Sequence, residues 1–302
     1  MLDFLKRTIA CAFALFAGLA AAQAQGNGVR EFLDLAYYEG ADADAERHRL
    51  NLVAPDTEEP APLMMWIPQG AWAFGSRARE TPGARRFAEA GIAVAAIDHR
   101  MSPPFNGDAP IESGAKHPDH AIDSARAAAW LLANGDDYNV DTDNFFIAGY
   151  SSGAHLAALL VMDPRYLADV GVTLDQVRAA IAVGGAYDME RYRDAIFEAF
   201  EDAGAARKHI YGVFGSDEML KPASPNAYLD QARTPMLVMS DATTYTYNTW
   251  FEEEVAERGL GDLIQFIHRR DYEHGPLWLG LQNEPDFEPR DQIVAYIREH
   301  VR

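Results

Sequence analysis

Cysteine is all but missing. Cys11 is the single one in 302 residues, and it falls in an N-terminal stretch that reads as a removable signal peptide, so the remainder has no disulfide, thiolate metal site or thiol nucleophile. Lysine is scarce as well, at positions 6, 116, 208 and 221 only. Basic residues number 26 against 46 acidic ones, a formal net charge of −20. Such a surface repels nucleic acid and anionic lipid, so neither is expected as a partner. No apolar run is long enough for a membrane span of roughly 20 residues. The longest, Ile9 to Ala22, follows Lys6 and Arg7 and ends at the small-x-small pattern Ala22-Gln23-Ala24. That layout predicts a signal peptide over residues 1–24 and a mature chain over residues 25–302, periplasmic or secreted. No repeat of 20 to 50 residues is visible, which excludes solenoids and propellers.

What is present is an alternation of short apolar runs with stretches of helical period. The pattern predicts strands at residues 32–37, 47–53 and 63–67, the first two as an antiparallel opening. A helix near 84–90, a strand at 92–97, a helix at 120–133 and a strand at 145–148 follow in a βαβ rhythm. A helix at 153–162 and a strand at 179–183 lead into residues 189–229, helical pieces without a strong strand, read as a small lid. Strand 235–239, helix 247–258, strand 264–267 and a terminal helix at 290–301 complete an α/β chain. It is expected to build a mostly parallel eight-stranded sheet with helices on both faces. Sheets of that kind place chemistry beyond the carboxyl ends of their strands.

At one such end stands Phe145-Phe146-Ile147-Ala148-Gly149-Tyr150-Ser151-Ser152-Gly153, an apolar strand, a G-x-S-x-G turn and the start of a helix. The glycines allow strand and helix to approach, and the tight turn lifts the Ser151 hydroxyl above the sheet. A phosphate-binding loop is disfavoured because no lysine follows the glycines. A serine hydroxyl attacks only when a base takes its proton, so a histidine is required from elsewhere in the chain. Of nine histidines, His274 lies seven residues past the last predicted strand, in a stretch read as a loop, which is where the base belongs. His268, at the strand end, is the second candidate. His48, His155 and His300 are read as structural. His117 and His120 flank Pro118 without further ligands nearby, so no metal site is expected.

Several segments carry a family likeness: Arg49-Leu50-Asn51-Leu52-Val53-Ala54-Pro55, Gly70-Ala71-Trp72-Ala73-Phe74-Gly75, Asp98-His99-Arg100-Met101-Ser102-Pro103, the serine turn, and Gly185-Ala186-Tyr187-Asp188. Together they make the chain resemble α/β-hydrolase carboxylesterases, in the branch of bacterial feruloyl and acetyl-xylan esterase-like proteins and kynurenine formamidase. The resemblance implies an α/β-hydrolase fold with Ser151 as nucleophile and His274 as base, acting on small-molecule carboxylic esters, less often amides, through an acyl-serine and without a cofactor. The family's His-Gly-Gly-Gly-Trp segment is replaced here by Pro68-Gln69-Gly70-Ala71-Trp72. By position, Gly70, Ala71 and Ser152 supply the oxyanion-hole N–H groups, and Gln69 is a candidate side-chain donor.

The commoner spacing puts the triad carboxylate at position 243, which is threonine here. Asp241 is the nearest acid, with Asp188 as the alternative. Trp72, Tyr150, Tyr187 and Tyr245 cluster near the strand ends and are expected to contact substrate. Asp123 is expected to pair with Arg100 in a structural role. Two other readings stay open: an amidase or formamidase, which uses the same triad, and, given the altered segment at 68–71 and the shifted acid, a silent binding protein that keeps the hydrolase fold.

Overall fold

The computed structural model describes residues 28–302; the expected signal peptide, residues 1–24, lies outside them. Eight strands form one sheet: β1 (Val29–Ala36), β2 (Arg49–Pro55), β3 (Ala61–Ile67), β4 (Ala93–Ile97), β5 (Val140–Tyr150), β6 (Val177–Val183), β7 (Met236–Asp241) and β8 (Ile264–Arg269). Their spatial order is β1-β2-β4-β3-β5-β6-β7-β8. β2 pairs antiparallel with β1 and with β4, and the rest of the sheet is parallel. The inner strands are near-continuous apolar runs because helices cover both faces.

The helices are α1 (Arg77–Glu89), α2 (Asp119–Asn134), α3 (Ser152–Met162), α4 (Arg165–Ala168), α5 (Met189–Ala199), α6 (Ala203–Phe214), α7 (Tyr245–Glu257), α8 (His274–Asn283) and α9 (Glu288–His300). On one face, Phe87 of α1, Leu277 and Leu281 of α8 and Ile293 and Ile297 of α9 pack on Met64, Phe146 and Ile181. On the other, α2, α3 and α7 pack on Leu63, Ile147 and Ala180. Every residue of α3 is buried, which places the helix that follows the serine turn in the thickest part of the core.

Two helices depart from expectation. α1 begins at Arg77 and carries Pro82 inside it, where proline forfeits a hydrogen bond to the turn before it; the sequence reading started this helix only after that proline. α8 occupies a stretch read as a loop. Pro276 is its third residue, and the first four N–H groups of a helix have no intrahelical partner, so proline loses nothing there. The segment read as a lid is α5, α6 and two short 3-10 turns between β6 and β7. It packs on the loop after β3, where Tyr192, His209 and Phe214 surround Trp72.

Candidate active site

Register brings the carboxyl ends of four strands together. Ile67 pairs with Gly149, Tyr150 with Val183, and Val183 with Met239. Ser151 follows Tyr150 directly and adopts φ 56°, ψ −116°, a left-handed backbone that costs a non-glycine residue roughly 1–2 kcal/mol. The surroundings hold it there: its N–H donates to Val183 O at 2.8 Å, and its carbonyl accepts the His155 N–H at 3.1 Å. At Gly153 a Cβ would stand 2.1 Å from Ile67 O, so α3 closes on β3 only because that position is glycine.

Across the strand ends, His274 Nε2 lies 3.0 Å from Ser151 Oγ, and His274 Nδ1 lies 2.7 Å from Asp241 Oδ2. Asp241 is the last residue of β7 and is wholly buried. Its other oxygen, Oδ1, accepts the Thr244 N–H at 2.8 Å, which orients the carboxylate toward the imidazole. His274 is the first residue of α8 rather than part of a loop. Tyr150 Oη donates to the His274 carbonyl at 2.6 Å, and Thr243 Oγ1 accepts the His274 N–H at 3.3 Å. Thr243, where a carboxylate was the commoner expectation, thus anchors the histidine's backbone.

The other candidates are engaged elsewhere. Asp188 caps α5, accepting the Glu190 and Arg191 N–H groups. His268 lies against the Ser240 hydroxyl at 2.7 Å and Glu252 at 2.9 Å. His117 meets Tyr166 and His120 meets Ser102, on separate partners. Asp123 binds Arg100 through both carboxylate oxygens, at 2.8 and 2.9 Å.

The loop after β3 turns through positive φ at Gly70 (120°), Ala71 (52°) and Trp72 (58°). The Gly70 carbonyl is occupied by the Ala73 and Phe74 N–H groups at 2.9 Å. Among the described residues the Gly70 and Ala71 N–H groups donate to no protein acceptor. The Ser152 N–H, at the first position of α3, is one of the four that a helix leaves open. Trp72 Nε1 donates to His155 Nδ1 at 3.3 Å, and His155 Nε2 reaches Ala223 O at 2.7 Å. Burial pushes the His155 imidazole down to about 3, which keeps it neutral and able to accept that indole N–H.

Of the four aromatic residues expected to contact substrate, Tyr150 borders the opening beside His274, a groove of about 370 Å³ that also involves Gln69, Arg79, Trp278 and Leu279. The other three do not line that groove. Trp72 packs against His155 and Phe214 and Tyr187 against Phe251, within the core. Tyr245 packs on His268 and under the Arg270 guanidinium, away from the groove.

Sequence reasoning missed Glu80. Its buried Oε2 accepts Trp66 Nε1, Trp278 Nε1 and Gln282 Nε2, each at 3.0 Å. These bonds tie α1 to β3 and to α8. Burial pushes the Glu80 carboxyl up to about 7, against the pull of these donors. The signal for α8 was present in the four-residue spacing of His274, Trp278 and Gln282, one face of a helix.

The segment from residue 50 to residue 244 matches the family model described as BD-FAE, well over half of the chain. The chain belongs to the BD-FAE family. The BD-FAE match takes in Ser151 and Asp241 and ends before His274. Over 145 residues the chain is 35% identical to the probable carboxylic ester hydrolase LipM of Mycobacterium tuberculosis, and over 137 residues it is 34% identical to Esterase LipC of the same organism. These alignments take in 47% and 44% of this chain and 31% and 32% of those proteins. The chain thus spans about a third of the length of these curated relatives. Among solved structures, Esterase B from Lactobacillus Rhamnosis (HN001) superposes with a TM-score of 0.73 at 16% identity, covering 90% of this chain and 86% of that one. A truncated carbohydrate esterase from gut microbiota gives 0.71 at 19%, covering 93% and 99%. At these identities the likeness shows the fold, that of an α/β-hydrolase.

Proposed function

We propose that this BD-FAE chain is a serine hydrolase of small carboxylic esters. The observation that carries the reading is the unbroken relay from Asp241 through His274 to Ser151, at 2.7 and 3.0 Å. In this reading His274 Nε2 removes the hydroxyl proton as Ser151 Oγ attacks the ester carbonyl, and Asp241 holds the tautomer and stabilises the imidazolium. The Gly70, Ala71 and Ser152 N–H groups receive the oxyanion. On collapse the C–O bond breaks and His274 hands its proton to the departing alcohol. Water then adds to the acyl-serine, giving its proton to His274, and the acid leaves as Ser151 recovers the proton. The ester hydrolases and esterases among its relatives support the ester as substrate.

The test is a fluorophosphonate probe together with p-nitrophenyl acetate. Labelling and turnover are expected in the wild type and lost in Ser151→Ala. A folded protein that takes no label and hydrolyses nothing would instead be a binding protein. We also propose, from the signal-peptide pattern at residues 1–24, that the mature chain begins at Gln25 and lies outside the cytoplasm, which N-terminal sequencing of protein recovered from the periplasm and the medium checks.

A further inference from the structure

When the tetrahedral intermediate collapses, the leaving oxygen takes its proton from His274 Nε2, so the alcohol half of an ester must lie on the imidazole side. The groove beside His274 is therefore where that half belongs, given the serine hydrolase reading. Its walls are apolar and aromatic: Tyr150, the Trp278 indole one helical turn after His274, and Leu279, which is 51% exposed. Arg79 alone among the lining residues carries a fixed charge.

Arg79 stands apart from the other arginines of α1. Arg77 is paired with Asp34 and Asp98, Arg85 with Glu31 and Arg86 with Glu89. Among the described residues no carboxylate lies within ion-pair distance of Arg79, whose guanidinium instead rests 5.2 Å from the centre of the Trp278 ring. Glu80, the acid next in sequence, is buried and spends its Oε2 on Trp66, Trp278 and Gln282. In a chain of net charge −20 with carboxylates to spare, an open guanidinium fork at the rim of an aromatic groove is a receptor for a planar anion. The Trp278 ring attracts that guanidinium, and among the described residues no side-chain hydrogen bond or ion pair engages it.

We propose that this groove binds the alcohol half of the ester and that Arg79 selects alcohol halves bearing a carboxylate. The substrates of this site are then acyl esters of hydroxy acids, with the charge at the far end of the alcohol and the acyl group toward Ser151. The reaction stays a hydrolysis: the acyl C–O bond breaks, water supplies the hydroxyl of the acid, and the hydroxy acid leaves with its oxygen protonated.

The matched probes are 4-acetoxybenzoate and 4-acetoxybenzamide, which share the acetyl group and the aromatic ring and differ in the charge of the far substituent. The quantity read is the ratio of their kcat/KM values. In the wild type the ratio is expected at about two- to fivefold in favour of the carboxylate, the worth of one ion pair at the exposed Arg79 guanidinium. Arg79→Gln lowers this ratio about two- to fivefold whatever the absolute rates, and Arg79→Lys keeps part of it. Salt at about 1 M, which shortens the screening length to about 3 Å, shrinks the wild-type ratio. A ratio that Arg79→Gln leaves in place, with both esters turned over, overturns the proposal. Failure of the hydrolase reading looks different: neither ester is cleaved and Ser151 takes no fluorophosphonate.

Discussion

Asp241 and His274 meet at 2.7 Å although 33 residues separate them, the carboxylate fully buried at the tip of β7 and the imidazole on the first turn of α8. Gly184, with φ +65°, runs beneath this pair, and a Cβ there would stand 2.9 Å from Asp241 Oδ2 and 3.0 Å from His274 Cε1. The contact therefore depends on a strand end that has no side chain.

Replacing the carboxylate tests its role. Asp241→Asn is expected to lower kcat for p-nitrophenyl acetate by about 10³ to 10⁴, by presenting the wrong partner to the Nδ1–H. Asp188→Asn, which keeps an oxygen to cap α5, is expected to stay within about threefold of wild type. Steady-state kinetics of the two variants side by side decide between the acids.

Crowding the pair from below has a separate signature. Gly184→Ala forces either the carboxylate or the imidazole to move and meets the cost of a positive φ. We expect kcat to fall by about 10²-fold, the order seen when a catalytic group is displaced by about 1 Å, with the fluorophosphonate reaction slowed in parallel. Circular dichroism should show the fold retained.

Glu80 predicts a pH dependence of stability. Its carboxyl is raised from 4.5 in the unfolded chain to about 7 in the folded one, so between these values the folded state binds more protons than the unfolded state. The stabilisation it gives in the protonated form is complete below about pH 4.5 and is lost as pH rises through about 7, amounting to about 3 kcal/mol. Glu80→Gln does not titrate, so the difference in melting temperature between variant and wild type should grow in the variant's favour from pH 5 to pH 8. A constant difference across that range would show that Glu80 keeps its ordinary acidity.

Trp72 separates a core role from a pocket role. Trp72→Phe removes the N–H that His155 Nδ1 accepts and is expected to cost about 1–3 kcal/mol of stability, read as a shift in the urea midpoint. Across p-nitrophenyl acetate, butyrate and octanoate its effect on kcat/KM should be the same for each, because the side chain is packed in the core against His155 and Phe214. A loss that grows with acyl length would restore Trp72 to the substrate-binding wall.

The serine turn and the βαβ order were legible in the linear chain because both are local: glycine spacing, apolar runs and helical period act over a few residues and need no partner. The fold class followed from them, as a mostly parallel sheet of eight strands has few ways to be covered on both faces. His274 was legible as a candidate from its position after the last strand, but not as the first residue of α8, since Gly275-Pro276 carries the same signal at a helix start as in a turn.

The partners of distant groups were another matter. That Asp241 rather than Asp188 faces His274, that Trp72 and Tyr187 turn into the core, and that Glu80 joins three elements through its indole and amide donors all depend on strand register and helix docking. Those are fixed by burial summed over the whole domain, and no short stretch of residues contains that information. Spacing along a chain says which groups are available; packing sets which of them touch.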